Sequence, residues 1–258
     1  MQFIAGGIGF FDSGIGGLTV LRACQNLLPN APLYYLGDNA RAPYGNLPCS
    51  RIRAYTIEAL SLFETLHVRA VVLACNTVTA VCVEEMRTRF AFPIIGTEPA
   101  VSLALQSADR VGVLTTCATG SSARFQNLCK TAVRKHGGTC VPLLCDGLAK
   151  AVEENIGNLD FDYTPYLPDA DVDGVVLGCT HYVWIKRQIE RRYNRPTYDG
   201  NDGIARRLKS LIKTDFNAEK TPLDTPFCVS TQNAKKSPIF FLGGQKEHNK
   251  HIYEQMFV

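Results

Sequence analysis

One short segment occurs twice in the sequence, and this repetition restricts how the chain can fold. The segment VVLACNT at Val71–Thr77 returns with few changes as VVLGCTH at Val175–His181. Each copy has an apolar run typical of a buried strand, then a small residue, a cysteine and two polar residues, and a helical pattern follows. In open α/β folds, ligands bind where strands end and helices begin. The repeat therefore predicts that Cys75 and Cys179 lie at equivalent points of two similar halves.

The rest of the chain alternates strand-like and helix-like patterns. Short apolar runs between amphipathic segments are typical of parallel sheets with helices on both faces. Several runs show no polar alternation, as expected of strands that are buried on both sides. We therefore predict an α/β fold with two pseudo-symmetric, doubly wound domains, mainly parallel sheets, and the active site in the cleft between the domains.

The predicted elements follow from where each pattern begins and ends. The predicted strands are Gly9–Asp12, Leu33–Leu36, Ala70–Ala74, Pro93–Gly96, Arg110–Thr115, Thr139–Leu144, Gly174–Gly178, Thr197–Asp199 and Ile239–Leu242. The predicted helices are Leu18–Leu28, Arg51–Leu66, Val81–Phe90, Ser122–Lys135, Leu148–Asn155, Tyr182–Tyr193 and Ile204–Lys213.

The two domains are expected to meet near residues 97–100, where prolines bracket the chain and a new strand–helix series begins. We expect one domain from residues 1–97 plus 208–258 and a second from residues 98–207, so that each contains one of the two cysteines. The apolar run Ile239–Leu242 in the tail is expected to return to the first domain.

Composition narrows the class of protein. With 46% apolar and 20% charged residues, the 258-residue chain has the makeup of a soluble globular protein. Its net charge of +3 is too small to indicate a nucleic-acid partner. No apolar run reaches the roughly 18–20 residues that a membrane span needs, and the first residues lack the basic leader of a secretory signal. We expect a cytoplasmic protein without nucleic-acid or membrane partners.

The ten cysteines are expected to be reduced thiols, because the chain is large and shows no export signal. No CxxC pair occurs, which disfavours zinc-ribbon and thioredoxin-type sites. Four of the cysteines are predicted to be small core residues, the usual role of a free thiol: Cys24, Cys82, Cys129 and Cys140.

The glycine-rich segment FDSGIGGLT at Phe11–Thr19 follows a predicted strand and opens a predicted helix. Glycines there allow a tight turn whose free N–H groups face a ligand. A dinucleotide site is one alternative, because Gly14 and Gly16 match the first glycines of GxGxxG and Asp38 lies near the ribose-binding position. Against it, a threonine replaces the third glycine and Asp12 would place a carboxylate beside the pyrophosphate. Such an acid more naturally pairs with an ammonium group or holds a proton-transfer group in place.

The loop GDNARAPYG at Gly37–Gly45 has two interpretations. Its proline and glycine content is typical of a plain turn, with Tyr44 covering the core. Alternatively, backbone N–H groups around Tyr44 and Gly45 bind a substrate carboxylate.

Polar residues that follow the two repeated cysteines indicate proton-transfer chemistry. Asn76 and Thr77 follow the first cysteine, whereas Thr180 and His181 follow the second. A thiol near a helix N-terminus, with hydroxyl and imidazole neighbours, is expected to have a pKa below its usual value of about 8.5. Such a group accepts a proton as a thiolate and donates one as a thiol. The polar neighbours can donate hydrogen bonds to substrate carboxylates.

Two further features bear on the same site. The hydroxyl-rich junction TTCATGSS contains Thr116 and Thr119, which are predicted to line the cleft, and serines that more simply cap a helix. A metal site at Cys179 and His181 is an alternative, since residues two apart on a strand share a face. The other histidines are not grouped with this pair, so no metal is expected.

At these motifs the chain resembles the glutamate racemases of the cofactor-independent aspartate/glutamate racemase superfamily. The matching stretches are FDSGIGGLTVL, GDNARAPYG, ACNT and GCTHY, in the family's order and spacing. The resemblance implies a two-domain enzyme, often a homodimer, that interconverts L- and D-glutamate without a cofactor and supplies D-glutamate for peptidoglycan. A racemase of aspartate or another small amino acid, and a two-lobed amino-acid-binding protein, stay open as alternatives.

The same resemblance implies roles for individual residues. Cys75 and Cys179 would transfer protons on opposite faces of the substrate's α-carbon. Asp12 and His181 would be catalytic residues that tune the two cysteines, with Glu153 as a partner of His181. The implied substrate contacts are Asp12, Ser13, Tyr44, Gly45, Asn76, Thr77, Thr180 and His181.

Overall fold

The computed structural model describes residues 6–28, 31–212, 228–230, 239–242, 244 and 246–257. Helices pack on two β-sheets whose neighbouring strands are mainly parallel, which confirms the predicted α/β class. The strands are β1 (Ile8–Asp12), β2 (Leu33–Gly37), β3 (Ala70–Leu73), β4 (Ile94–Gly96), β5 (Arg110–Thr115), β6 (Thr139–Leu144), β7 (Gly174–Leu177), β8 (Thr197–Tyr198), β9 (Cys228–Ser230) and β10 (Ile239–Leu242). The helices are α1 (Leu18–Leu27), α2 (Cys49–Thr65), α3 (Asn76–Arg89), α4 (Val101–Ala104), α5 (Cys117–Gly120), α6 (Ala123–His136), α7 (Leu148–Glu154), α8 (Lys186–Tyr193), α9 (Asn201–Leu211) and α10 (Lys246–Phe257).

The first sheet has the strand order β4-β3-β1-β2-β10-β9. All its neighbouring strands are parallel except β9, which runs antiparallel to β10. Every residue of β1 is buried, as its unbroken apolar run predicts. Strand β10 pairs with β2, with Ile239 opposite Leu33, so the apolar run of the tail returns to the first sheet as expected.

The second sheet is entirely parallel and has the strand order β6-β5-β7-β8. All four residues of β7 are buried, and β7 pairs with β5 from Gly174 opposite Val111 to Leu177 opposite Leu114. In the first sheet β3 pairs with β1 in the same parallel sense. The two copies of the cysteine repeat therefore occupy comparable places, each on a buried strand inside a parallel sheet.

Helix α9 carries the chain back from the second sheet to the first. Its buried residues Ile204, Ala205 and Leu208 belong to the same apolar cluster as β1 and α1. The predicted last residue of this helix, Lys213, lies outside the described residues. None of the helices in the described part of the chain combines the length and apolar character that crossing a bilayer requires.

Helix α3 begins earlier than predicted, at Asn76 rather than Val81. Cys75 has an extended backbone and is the last residue before the helix. Its carbonyl accepts a hydrogen bond from the N–H of Thr79 at 3.0 Å, which closes the first helical turn. This helix start was not predicted because its sequence is polar. In the fold these polar side chains contact buried partners instead of solvent.

The segment after Cys179 also differs from the predicted helix Tyr182–Tyr193. A 3₁₀ helix spans Thr180–Ile185, and α8 begins only at Lys186. The N–H of Tyr182 donates to the carbonyl of Cys179 at 3.0 Å, three residues back. This tighter winding packs the fully buried Tyr182 into the core of the second half.

Candidate active site

The candidate site lies where parallel strands of both sheets end. Asp12 is the last residue of β1, and Thr116 directly follows β5. Cys75 is the second residue after β3, and Cys179 is the second residue after β7. The repeat thus places both thiols at the carboxyl ends of buried parallel strands, where ligands collect in open α/β sheets.

Direct contacts join these strand ends into a single site. The hydroxyl of Thr77 lies 3.0 Å from that of Thr116, a hydrogen bond between segments that follow different sheets. A Cβ atom added to Gly16 would lie 2.6 Å from Oγ1 of Thr180. The glycine-rich segment after β1 therefore packs against the segment after Cys179 at a distance that only glycine permits.

Cys75 is 6% exposed, and its Sγ lies 3.5 Å from the hydroxyl oxygen of Ser13. Burial raises the pKa of the Cys75 thiol to about 12, and the nearby charge of Asp12 acts in the same direction. The predicted lowering of this pKa is therefore wrong. The hydrogen bond with Ser13 favours the thiolate, but the loss of solvent outweighs it.

Asp12 is fully buried at the end of β1. Its Oδ2 accepts hydrogen bonds from the N–H groups of Gly14 and Gly17, each at 3.0 Å. Its Oδ1 is buried and has no hydrogen-bond partner within the described ranges. Burial raises the pKa of Asp12, although the charge of His181 opposes this effect. A buried carboxylate oxygen without a partner suits an incoming cationic group.

Cys179 lies at one end of a chain of three polar side chains. Its Sγ lies 3.7 Å from Nδ1 of His181, whose Nε2 lies 2.5 Å from Oε2 of Glu153. Burial by itself lowers the pKa of His181, but the hydrogen bonds to Cys179 and Glu153 and the carboxylate charge hold it well above 6.5. Burial favours the neutral form of Glu153, yet the contacts with His181 keep the pKa of this carboxyl below its usual value. The pair is therefore charged at neutral pH.

Glu153 links the two halves of the molecule. It lies on α7, beside the second sheet, but its Oε2 accepts a hydrogen bond from the N–H of Ile15 at 3.1 Å. Its Oε1 accepts another from Nδ2 of Asn39 at 2.6 Å. Asn39 was not predicted to be a site residue. Its position inside the GDNARAPYG loop was the one feature of the sequence that pointed to it. Two donors from separate segments, Ile15 and Asn39, hold this carboxylate in one orientation toward His181.

The predicted hydroxyl and amide residues come together, but not all of them are free. Thr77 lies 3.0 Å from Thr116 and 3.5 Å from Thr119, measured between hydroxyl oxygens. The side chain of Asn76 donates to a backbone carbonyl at 3.2 Å. The hydroxyl of Thr180 is buried and has no hydrogen-bond partner in the described part of the chain. Thr180 thus offers a buried group that a ligand can satisfy.

The loop that contains Tyr44 and Gly45 packs beside this cluster. The Tyr44 side chain is buried in the core, and its hydroxyl donates to the carboxylate of Asp38. Asp38 also accepts from Nε of Arg41 at 2.6 Å, so it is not free to bind a ribose as the dinucleotide alternative required. A Cβ on Gly45 would lie 3.1 Å from Cβ of Thr116, so this loop contacts the segment after β5.

The histidine of the site uses both of its ring nitrogens. In His181, Nδ1 faces Cys179 and Nε2 faces Glu153. Over the described residues, no group of three or more His, Cys, Asp or Glu side chains is arranged to hold a metal ion. Both ring nitrogens of His181 therefore contact side chains of the site.

The site is almost closed to solvent. Both repeated cysteines are 6% exposed. At the edge of the site, Nδ2 of Asn46 donates to Oδ1 of Asp146 at 3.1 Å, which joins the loop after β2 to the loop after β6. A cavity of about 140 Å³ opens here and is lined by residues that include Gly45, Thr116 and Cys145.

Replacing Gly16 with alanine is expected to abolish most of the activity while the chain still folds. The added Cβ would lie within 2.8 Å of Oγ1 of Thr180 and of two His181 atoms, and one of those is a backbone nitrogen. The segment after Cys179 must then shift, and displacements of about 1 Å can cost about 10²-fold in rate. Gly203→Ala is the matched control, because its Cβ would meet nothing within 4 Å. Equal kcat/KM values for the two variants would contradict the close packing of Gly16 against Thr180 and His181.

Comparison with known proteins identifies the family. A model of the Asp/Glu/hydantoin racemase family matches residues 18–208. A glutamate racemase of Clostridium botulinum (strain Okra) is 36% identical over 217 residues, covering 80% of this chain and 83% of that protein. A glutamate racemase of Aquifex aeolicus is 35% identical over 261 residues, covering 97% and 99%. The structure of the Francisella tularensis glutamate racemase in complex with D-glutamate superposes with a TM-score of 0.74 at 25% identity, covering 97% of this chain and 94% of that one.

The fold and these matches define an α/β isomerase of the racemase class. The chain belongs to the Asp/Glu/hydantoin racemase family, which confirms the resemblance inferred from the sequence motifs. The matched residues include both copies of the cysteine repeat.

Proposed function

We propose that the chain is a glutamate racemase that interconverts L- and D-glutamate with two cysteines and no cofactor. The observation that carries the proposal is the matched placement of Cys75 and Cys179 at the ends of two buried parallel strands. The relatives named glutamate racemase, one of them aligned over 97% of this chain, support glutamate as the substrate. The D-glutamate complex of the Francisella tularensis enzyme supports the same choice.

The proposed reaction inverts the α-carbon by two proton transfers. One cysteine, as thiolate, removes the α-proton, and the other, as thiol, delivers a proton from the opposite face. In the reverse direction the two cysteines exchange roles. The raised pKa of Cys75 is compatible with this step, because a thiolate of high pKa is a strong base once it has formed.

The flanking groups are proposed to stabilise the charges of the substrate and the transition state. The free Oδ1 of Asp12 is positioned to accept the α-ammonium group. On the other side, protonated His181 lies beside Cys179, with its Nδ1 3.7 Å from Sγ. Preorganised charges of this kind act most strongly in a site from which water is excluded.

The substrate carboxylates are proposed to bind to the polar residues that follow the strands. The proposed donors are the hydroxyl of Thr180, which has no partner among the described residues, and the N–H groups of Asn76 and Thr77 in the first turn of α3. The other proposed contacts are Ser13, Tyr44, Gly45, Asn76, Thr77, Thr116 and Thr119. Because the Tyr44 hydroxyl already donates to Asp38, the backbone of this loop is the better candidate for the contact.

The proposal extends to the organisation of the molecule. We propose two domains, residues 1–97 plus 208–258 and residues 98–207, with the site between them. The return of β10 to the first sheet and the packing of α9 (Asn201–Leu211) against α1 support a chain that passes back to the first domain within this helix. A homodimer, a cytoplasmic location and a role in peptidoglycan synthesis are proposed from the family resemblance. Light scattering of the purified protein tests the homodimer.

The activity is tested by incubating the chelator-treated protein, without added cofactor, with each enantiomer of glutamate and of aspartate. We expect the circular dichroism of both glutamate solutions to decay to zero, and that of aspartate to change far more slowly. In D₂O, deuterium is expected at the α-carbon of the product, which separates racemisation from simple binding. Faster loss of the aspartate signal would replace glutamate with aspartate as the substrate, and no change with either would refute the proposal.

A further inference from the structure

A second pair of cysteines lies in the half of the molecule that contains the second sheet. Cys129 is on α6 and Cys140 is the second residue of β6, and their Sγ atoms lie 2.7 Å apart. Non-bonded heavy atoms usually pack about 3.5–4.0 Å apart, and a disulfide bond is about 2.05 Å long. The two thiols are therefore close enough to react with each other. Both residues were predicted to lie in the core, yet Cys140 is only half-buried.

This thiol pair is separate from the candidate active site. In the second sheet Cys140 pairs with Val111, four residues before Thr115 at the end of β5. At about 3.3 Å per residue, the pair lies about 13 Å from the edge of the sheet that carries the site. The proposed racemisation uses neither thiol, and a reaction between them would leave Cys75 and Cys179 free.

A short turn connects the helix and the strand that carry the two cysteines. The turn between α6 and β6 contains Gly137 and Gly138, whose φ angles of +81° and +76° are readily adopted only by glycine. This short turn reverses the chain direction between α6 and β6. The packing of α6 beside β6 then brings Cys129, in the middle of the helix, to Cys140 near the start of the strand.

The two thiols have different access to a reagent. Cys140 is half-buried, whereas Cys129 is 9% exposed. The close contact between the two thiols lowers the pKa of the Cys140 thiol and raises the pKa of Cys129. Cys140 is therefore the thiol that reacts first with an external oxidant, and Cys129 is placed to react second.

We propose that Cys129 and Cys140 are a redox modification site that forms a reversible intramolecular disulfide with a small disulfide, such as oxidised glutathione, as the oxidant. The Cys140 thiolate attacks one sulfur of the oxidant, and one thiolate of the reagent leaves. The Cys129 thiolate then attacks the sulfur of Cys140, the 129–140 bond forms, and the second reagent thiolate leaves. Two electrons pass from the protein to the reagent, and the two thiol protons go to solvent.

The disulfide would fix α6 to the second sheet. Helix α6 begins near Arg124, which forms ion pairs at 2.6 Å with Glu84 on α3 and with Glu98. This helix therefore connects the second sheet to the elements that pack on the first. Closing the loop between residues 129 and 140 restricts the unfolded chain, so the oxidised protein is expected to have a Tm several degrees higher.

The test uses the full chain, incubated over a range of ratios of oxidised to reduced glutathione, alkylated with iodoacetamide and digested with trypsin. Mass spectrometry is expected to find the peptides Phe125–Lys130 and His136–Lys150 linked, with the loss of two hydrogens and with fragments that assign the link to Cys140. In Cys129→Ser the second step is blocked, so a glutathione adduct is expected to accumulate on Cys140. Cys49→Ser, which removes an exposed thiol elsewhere, is expected to leave the 129–140 link unchanged.

The proposal fails if both thiols of the wild-type protein remain open to iodoacetamide at every ratio. It also fails if the glutathione adduct persists on Cys140 in the wild-type protein as it does in Cys129→Ser, or if Cys145 forms the link instead. The readout is a peptide mass and does not depend on racemase activity.

Discussion

Substituting alanine for Cys75 or Cys179 is expected to lower kcat for racemisation at least about 10³-fold in both directions, since each direction needs one base and one acid. The remaining thiol still faces one side of the α-carbon. In D₂O we therefore expect each variant to exchange the α-proton of a single enantiomer without inverting it, with opposite preferences for the two variants. Proton NMR of each glutamate enantiomer measures this exchange.

Cys82→Ala is the matched control. Cys82 is also a buried thiol, but it lies on α3 in the core of the first half, whereas Cys75 directly precedes this helix. Removal of the Cys82 thiol is expected to lower stability slightly and to leave the chemistry intact. Full activity in either Cys75→Ala or Cys179→Ala would refute the two-base assignment. Exchange of the same enantiomer by both variants would show that the thiols do not face opposite sides.

Replacing Glu153 with glutamine is expected to lower kcat about 10²-fold and the free energy of unfolding by about 3 kcal/mol. Removing one partner of a buried ion pair leaves the other uncompensated, and such changes typically cost about 3–5 kcal/mol. A loss of unfolding free energy at the lower end of this range is expected, because glutamine has the same shape as glutamate and keeps part of the hydrogen bonding with Asn39 and His181. Urea unfolding and steady-state kinetics measure the two effects.

The pH dependence of this variant follows from the direction of the pKa shifts. In the wild-type protein the raised pKa of His181 keeps the imidazolium charged above pH 6.5, and its contribution to stability is lost only as the pH rises through that raised pKa. The lowered pKa of Glu153 adds stability above about pH 4.5 that is lost as the pH falls. The stability difference between wild type and Glu153→Gln is therefore expected to be largest near neutral pH and to shrink in acid.

The pH dependence of the activity is expected to shift together with the pKa of His181. Without the carboxylate, the pKa of His181 falls, so the imidazolium beside Cys179 is lost at a lower pH and the alkaline limb of the kcat/KM profile moves toward neutrality. Glu154→Gln is the matched control, because Glu154 is the next residue on α7 and forms an exposed ion pair with Lys150 at 3.7 Å. Superimposable pH profiles for wild type and Glu153→Gln would contradict the role proposed for this carboxylate.

Much of the fold could be predicted from local patterns. The strand at Val71–Leu73 and its copy near Val175 are unbroken apolar runs, which indicate burial on both faces of a parallel sheet. The helix start at Asn76 was not predicted, because the side chains of Asn76 and Thr77 hydrogen-bond to partners distant in sequence. The 3₁₀ helix after Cys179 was not predicted either, since its His181 side chain contacts Glu153, which is also distant in sequence. Periodicity reports which face of an element is buried, but it does not report what the polar residues at its ends will meet.

The sequence by itself determined the α/β class, the family and the equivalence of the two cysteines, because these depend on apolar periodicity and on motifs that lie within short segments. Only the tertiary structure decided the electrostatics of the site. The pKa of Cys75 rises because the folded chain removes the thiol from water, and His181 stays charged because Glu153 is held against it by Ile15 and Asn39. Desolvation and long-range hydrogen bonding arise from groups brought together by folding, so no local pattern encodes them.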